Sequence, residues 1–212
     1  MMIMPPRVKF NKDEITAAAL KLARKKGIDS VTAREVGSVL GVSSRPIFTW
    51  FDSMGQLKQA VYEAAKEIYK DYLDNGLKER VPFLGIGMYY LKFAREEPEL
   101  YKLLFLTKPN GVTGGAAETL KFSQDAFRQS VTKIYNLNAT MADKFMRDMW
   151  FIVYSFATMI VTDDCPYSEE EISLILTEMA LSICKGLKEI PGLADGVFDR
   201  DAVFNELVKT TF

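Results

Sequence analysis

The chain contains no histidine. That removes the commonest general base and metal-binding side chain available near neutral pH. No Ser/Lys, cysteine-rich or paired-carboxylate spacing replaces it, so no enzyme is expected, and no motif calls for a cofactor or a metal. Cysteine is also scarce. Cys165 and Cys184 stand far apart and outside any CxxC spacing, which points to a reducing, cytoplasmic setting without structural disulfides. Long apolar runs are missing. The most apolar stretch, MWFIVYSFATMIV at 149–161, is shorter than the ~20 residues that span a bilayer. No membrane partner is expected, and the stretch reads as a helix buried on most of its faces. The start, MMIMPPRVKF, is too short and too broken by proline for a signal peptide. Strand-like alternation is nearly absent, and there is no internal repeat.

What is there is helical and unevenly charged. The 212 residues carry a net charge of −1, enough chain for a full core without metal or disulfide staples. Residues 1–55, however, hold nine basic side chains, Arg7, Lys9 and Lys12 among them, against five acidic ones, a net of +4 that leaves −5 for the remainder. A basic head on an acidic body suits a head that faces a polyanion.

Capping patterns and apolar periodicity place the helices. Thr32-Ala-Arg-Glu35, Ser53-Met-Gly-Gln56 and Ser168-Glu-Glu-Glu171 fit the capping box, and Asn11-Lys-Asp-Glu14 is a looser version. After Asn11, Ile15, Ala18, Ala19, Leu22 and Ala23 form one stripe, and Gly27 stops the helix. A second helix over 33–40 turns Val36, Val39 and Leu40 inward. A third runs over 44–51. A fourth starts after Ser53, carries Leu57, Ala60, Val61, Ala64 and Ile68 on one face, and lasts to 75–76. Helices at 82–96, 98–106, 116–135, 139–162 and 169–189 and a short terminal one follow, with TKPNGVTGG at 107–115 as a loop.

The segment LGVSSRPIFTWF at 40–51 carries the functional signal. Ser43 suits an N-cap, with Ser44, Arg45 and Pro46 in the first turn, where a missing N–H sacrifices little. Val42, Pro46, Ile47, Trp50 and Phe51 then anchor the helix, and Ser44, Arg45, Phe48 and Thr49 face outward. Two short helices joined by a glycine turn make a helix-turn-helix. The second would enter the major groove. There Arg45 can pair with a guanine, Ser43, Ser44 and Thr49 can meet phosphates or bases, and Thr32 can seat a phosphate at the start of the other helix.

VTAREVGSVLGVSSRPIFTWFDSMGQLKQAV, 31–61, resembles the DNA-binding signature of TetR-type bacterial transcriptional regulators. Thr32, Glu35, Val36, Gly41, Val42, Ser43, Pro46, Ile47, Phe48, Trp50, Phe51 and Leu57 match that signature in kind and spacing, and close resemblance covers roughly residues 11–62. Two positions depart from it. Phe48 stands where the family has a phosphate-contacting tyrosine, and Met54 where it has a lysine, so non-specific phosphate binding is expected to be weaker.

The resemblance implies an all-α chain. Residues 1–55 are the three-helix helix-turn-helix domain, with a connecting helix over about 54–75, and 76–212 form a helical effector-binding and dimerisation domain. It implies three partners: a palindromic double-stranded DNA operator, a second copy of the chain and a small, largely apolar effector that releases a repressor from DNA. Candidate effector contacts are Tyr89, Phe93, Tyr101, Phe105, Phe122, Trp150 and Tyr154. The two long helices before the C-terminal one are the expected dimer surface. The alternative is a helical small-molecule-binding protein whose DNA head has degenerated.

Overall fold

A computed structural model describes residues 10–209; Arg7 and Lys9 of the basic head lie outside them. The described residues form an all-α fold with no strand. The head comprises α1 (Lys12–Lys26), α2 (Ala33–Leu40) and α3 (Ile47–Trp50). In α1, Ile15, Ala18, Ala19, Leu22 and Ala23 are all buried, and Asn11 and Glu14 complete a reciprocal capping box. Ser168 and Glu171 do the same at the helix Glu169–Glu189. Thr32 and Ser53 cap only one way, each accepting from the backbone three residues on, and Gln56 instead accepts from the Asp52 N–H at 3.0 Å.

The turn after α2 is closed by backbone bonds. Gly41 has φ 66°, a left-handed conformation that favours glycine. The Val42 N–H then donates to the Gly37 carbonyl at 2.9 Å. Gly37 is buried, and a Cβ there would lie 2.9 Å from the Val42 oxygen. That close approach turns α2 about Val36 and Gly37, and Val39, expected inward, is 45% exposed.

Helix α4 (Met54–Gly76) leads out of the head and packs on both α1 and α5. Its buried stripe is Leu57, Val61, Tyr62, Ala65, Tyr69 and Leu73, rotated from the expected one, so that Ala60 and Ile68 only flank it and Ala64 is half-buried. The body adds α5 (Pro82–Glu96), α6 (Pro98–Tyr101), α7 (Ala116–Tyr135), α8 (Ala139–Val161), α9 (Glu169–Glu189) and α10 (Arg200–Lys209). Pro82 and Pro98 open α5 and α6 at their first turns, where proline fits. A wide π turn over Lys102–Leu106 continues α6. α5 packs on α4 and α8, and α8 lies between α7 and α9. No described helix is long and apolar enough to cross a membrane.

Candidate nucleic-acid interface and effector cavity

The third helix is shorter than its sequence suggests. Ser44 and Arg45 lie in the turn ahead of it, and Pro46 has helical φ and ψ without being inside it. The Ile47 N–H donates to the Ser44 carbonyl at 3.2 Å, and the Thr49 N–H to Pro46 at 3.3 Å. These are tight i to i−3 bonds of the kind that fit short helical pieces. No side chain caps this start, so Ser43 does not serve as the expected cap. Ile47 and Phe51 are the anchors, at 0% and 2% exposure. Trp50 is not a third. It is 42% exposed, and its Nε1 donates to the Phe10 carbonyl at 2.8 Å, holding the start of the described chain against α3.

On the outer side, Thr32, Ser43, Arg45, Phe48 and Thr49 are exposed, and Ser44 is half-buried. Thr32 Oγ1 accepts from the Glu35 N–H at 3.2 Å, which leaves its own proton able to donate to a phosphate. No described residue pairs with the Arg45 guanidinium. The arrangement places two free-facing helix starts, an arginine and hydroxyls on one small three-helix unit.

Residues 15–61 match the model for bacterial regulatory proteins of the tetR family. The head of the chain is thus of the tetR type. The chain is a DNA-binding transcriptional regulator. A solved structure of a transcriptional regulator from Rhodococcus sp. Rha1 shares the fold at 14% identity and a TM-score of 0.51, covering 84% of this chain and 97% of that one. No curated protein matches the chain.

The head and its connecting helix are tied to the body at two places. Arg24 of α1 grips Glu97, just before α6, through two parallel bonds, of which Nε to Oε2 is 2.8 Å. Glu97 is buried, and the hydrogen bond to it raises the Arg24 pKa above its ordinary value. The second tie joins α4 to the loop before α7. Gln59 Oε1 accepts from the Thr113 N–H at 2.7 Å. The Tyr62 hydroxyl accepts from the Gly115 N–H at 2.8 Å and donates to Glu118 at 2.9 Å. Lys66 is bonded to Glu118 and Glu63, both at 2.8 Å. Burial alone would lower its pKa; these carboxylates outweigh that and raise it.

Between α4, α5, α7 and α8 lies a small apolar cavity of about 60 Å³. Tyr69, Phe83, Tyr90, Phe127 and Trp150 supply its aromatic wall. Of the seven sequence candidates, Trp150 alone lines it. Phe93 packs on Tyr69 at 5.4 Å, and Phe105 on Tyr90 at 5.3 Å, both behind the wall. Tyr101 bonds to Thr158, and Tyr154 stacks on Trp150 at 4.9 Å. Phe122 lies under the Lys66 ammonium. Tyr89 faces outward and donates to Glu79 at 3.1 Å; its neighbour Tyr90 is the one that turns in. The sequence signal for Tyr90 is its phase, since Phe83, Gly87, Tyr90 and Ala94 share one buried face of α5. A second, larger cavity of about 190 Å³ lies against α9 and shares Phe83, Gly87 and Met149 with the first. Among the described residues, no cluster of three His, Cys, Asp or Glu side chains could hold a metal ion.

Proposed function

We propose that this regulator is a homodimeric repressor, released from a palindromic operator when a small apolar molecule enters the cavity between α4, α5, α7 and α8. Residues 1–55 read the DNA, α4 connects, and 76–212 bind the effector and the second copy. Arg45 reads a base edge, Ser43, Ser44 and Thr49 flank it, Phe48 packs against the sugar-phosphate backbone, and Thr32 seats a phosphate. The observation that carries the reading is the reach of α4. One unbroken helix starts beside α3 at Met54 and brings Tyr69 and Leu73 into the cavity wall. A molecule that binds one setting of α4 better than the other changes DNA affinity by that difference, and by nothing else.

The test is selection of genomic fragments by the purified protein, then footprinting and anisotropy titration at several salt concentrations. The expected result is a two-fold symmetric footprint with half-sites one DNA turn apart, ~34–36 Å, and affinity that falls as salt rises. Binding of no fragment at low salt would favour a small-molecule binder with a degenerate head, the reading that Phe48 and Met54 motivate.

A further inference from the structure

The two cavities differ in what they can hold. An apolar cavity of about 150 Å³ accommodates one benzene. The cavity beside α4, about 60 Å³, is too small for a ring as it stands. The cavity against α9, about 190 Å³, has room for one ring and about two further heavy atoms. It opens at the surface beside Val81 and Leu181, which are 51% and 67% exposed. A void costs stability in proportion to its volume. Small residues keep this one open: Gly87 of α5 and Ala180 and Cys184 of α9 line it, and a Cβ at Gly87 would lie 3.2 Å from a Leu176 methyl.

No charged residue lines the cavity. A charged ligand would lose its hydration there and find no counter-charge. Phe83 and Tyr135 meet edge to face, with centroids 5.5 Å apart, and offer ring surface. The polar side chains are Tyr135, Thr177 and Cys184. Thr177 spends its proton on the Ser173 carbonyl at 2.8 Å, and Cys184 is a free thiol. The Tyr135 hydroxyl has no hydrogen-bond partner among the described residues. Burial, and secondarily Cys184, push its pKa up to about 12, so it offers both a proton and a lone pair. A ligand hydroxyl matches such a partner. We propose that this cavity binds a neutral single-ring phenol, its ring against Phe83 and its hydroxyl on Tyr135 Oη. The inner wall of Phe83, Gly87 and Met149 is shared with the cavity beside α4, and methionine is a flexible side chain. A ligand seated here bears on that partition, beyond which lie Tyr69 and Leu73 of α4. This rests on the effector reading above and names the effector's size, class and way in.

Three probes of matched shape, 4-ethylphenol, 4-ethyltoluene and 4-ethylbenzoate, test it by calorimetry on the intact protein. 4-Ethylphenol is expected to bind severalfold more tightly than the hydrocarbon, the ratio that one modest hydrogen bond supplies, and the carboxylate most weakly. Iodoacetamide alkylation, read by mass spectrometry, locates the site. 4-Ethylphenol should slow modification of Cys184 and leave that of Cys165, which does not line the cavity, unchanged. Tyr135→Phe should lower 4-ethylphenol affinity to that of the hydrocarbon and leave hydrocarbon affinity unchanged, which also reports that the variant is folded. Ala180→Phe fills the space and should abolish binding of both. No binding of 4-ethylphenol, affinity no better than that of the hydrocarbon or the carboxylate, or alkylation of Cys184 at the same rate with and without it overturns the proposal. DNA affinity at saturating 4-ethylphenol is read separately. If Cys184 is protected and DNA affinity does not change, the effector reading fails while the ligand site stands. If DNA affinity falls without protection of Cys184, the effector reading stands and this site fails.

Discussion

Arg24 on the first helix of the head and Glu97 at the start of α6 form a two-pronged ion pair, although 72 residues of chain lie between them. The partners are unequal. The Arg24 side chain is 47% exposed and the Glu97 side chain 8%. Water can serve the arginine if its partner is removed; it cannot easily serve the carboxylate. Arg24→Ala is therefore expected to lower stability by about 2 kcal/mol, and Glu97→Ala by less. The double variant should cost less than the sum of the two. Urea denaturation of the four proteins measures this, and additivity would show that the pair carries no coupling.

The same pair bears on signalling. α6 continues into the π turn that carries Phe105, and Phe105 packs on Tyr90 of the cavity wall. A double Arg24→Ala, Glu97→Ala variant should still bind DNA, but the loss of DNA affinity on adding a cavity ligand should shrink severalfold. Anisotropy titrations with and without a ligand that the body takes up give that ratio. A ratio equal to that of the unaltered protein would place the coupling in α4 alone.

Two substitutions separate base reading from backbone grip in the head. Arg45→Ala is expected to cost about 1–3 kcal/mol of operator affinity and to relax preference at one base pair. Phe48→Tyr restores a hydroxyl on a side chain that is 51% exposed, and should tighten binding to operator and random DNA alike. Competition between the two DNAs distinguishes these outcomes. If Arg45→Ala weakened both equally, Arg45 would be a phosphate contact.

The surface of α8 and α9 supports a further expectation. Phe151, Leu174 and Leu181 are 55%, 59% and 67% exposed, and Leu174 and Leu181, seven residues apart, lie on one face of α9. Exposed apolar surface of this kind marks contact sites, and a closed two-fold pair is the usual outcome. Replacing Leu174 and Leu181 with aspartate should convert a micromolar dimer to monomer in sedimentation equilibrium, with loss of operator binding. A monomeric unaltered protein at that concentration would refute the expectation.

Local rules made most of the fold legible. The stripe of α1 could be read residue by residue because small apolar side chains recur on a face that has one neighbour layer. The helix bounds followed from Gly27, Gly41, Pro82 and Pro98. Phase was harder where large side chains sit on both faces. Tyr89 and Tyr90 differ by one position, and only the packing of α5 on α4 and α8 decides which one enters the cavity. The stripe of α4 moved for the same reason: Tyr62 and Tyr69 are buried with their hydroxyls bonded to Glu118 and Ser123, partners more than fifty residues away. Trp50 was misplaced because its size suggested an anchor, while its indole N–H found the Phe10 carbonyl at the surface. The Arg24–Glu97 tie has no local signal at all.

The buried phenols give the protein a distinctive response to alkali. Burial pushes Tyr101 and Tyr135 up to about 12 and raises Tyr69 and Tyr90 as well. In each case the folded pKa exceeds the unfolded one. The stabilisation is fully present below pH ~10, the ordinary phenol value, and is lost as pH rises towards the folded values. Lys66, also raised, has the same sign: its contribution is present below its unfolded pKa and disappears as pH climbs through the folded one. Above pH ~10 the unfolded state sheds protons that the native state retains, so stability falls by about 1.4 kcal/mol per pH unit for each such proton. With no histidine to titrate between pH 5 and 8, stability from pH 6 to 9 is expected to be nearly flat. Urea denaturation at pH 7, 9, 10, 10.5 and 11, with tyrosinate absorbance followed in parallel, checks both arms. Tyr101→Phe should make the alkaline decline shallower. Stability that held level to pH 11 would mean that these phenols ionise in the folded protein as readily as in the unfolded chain.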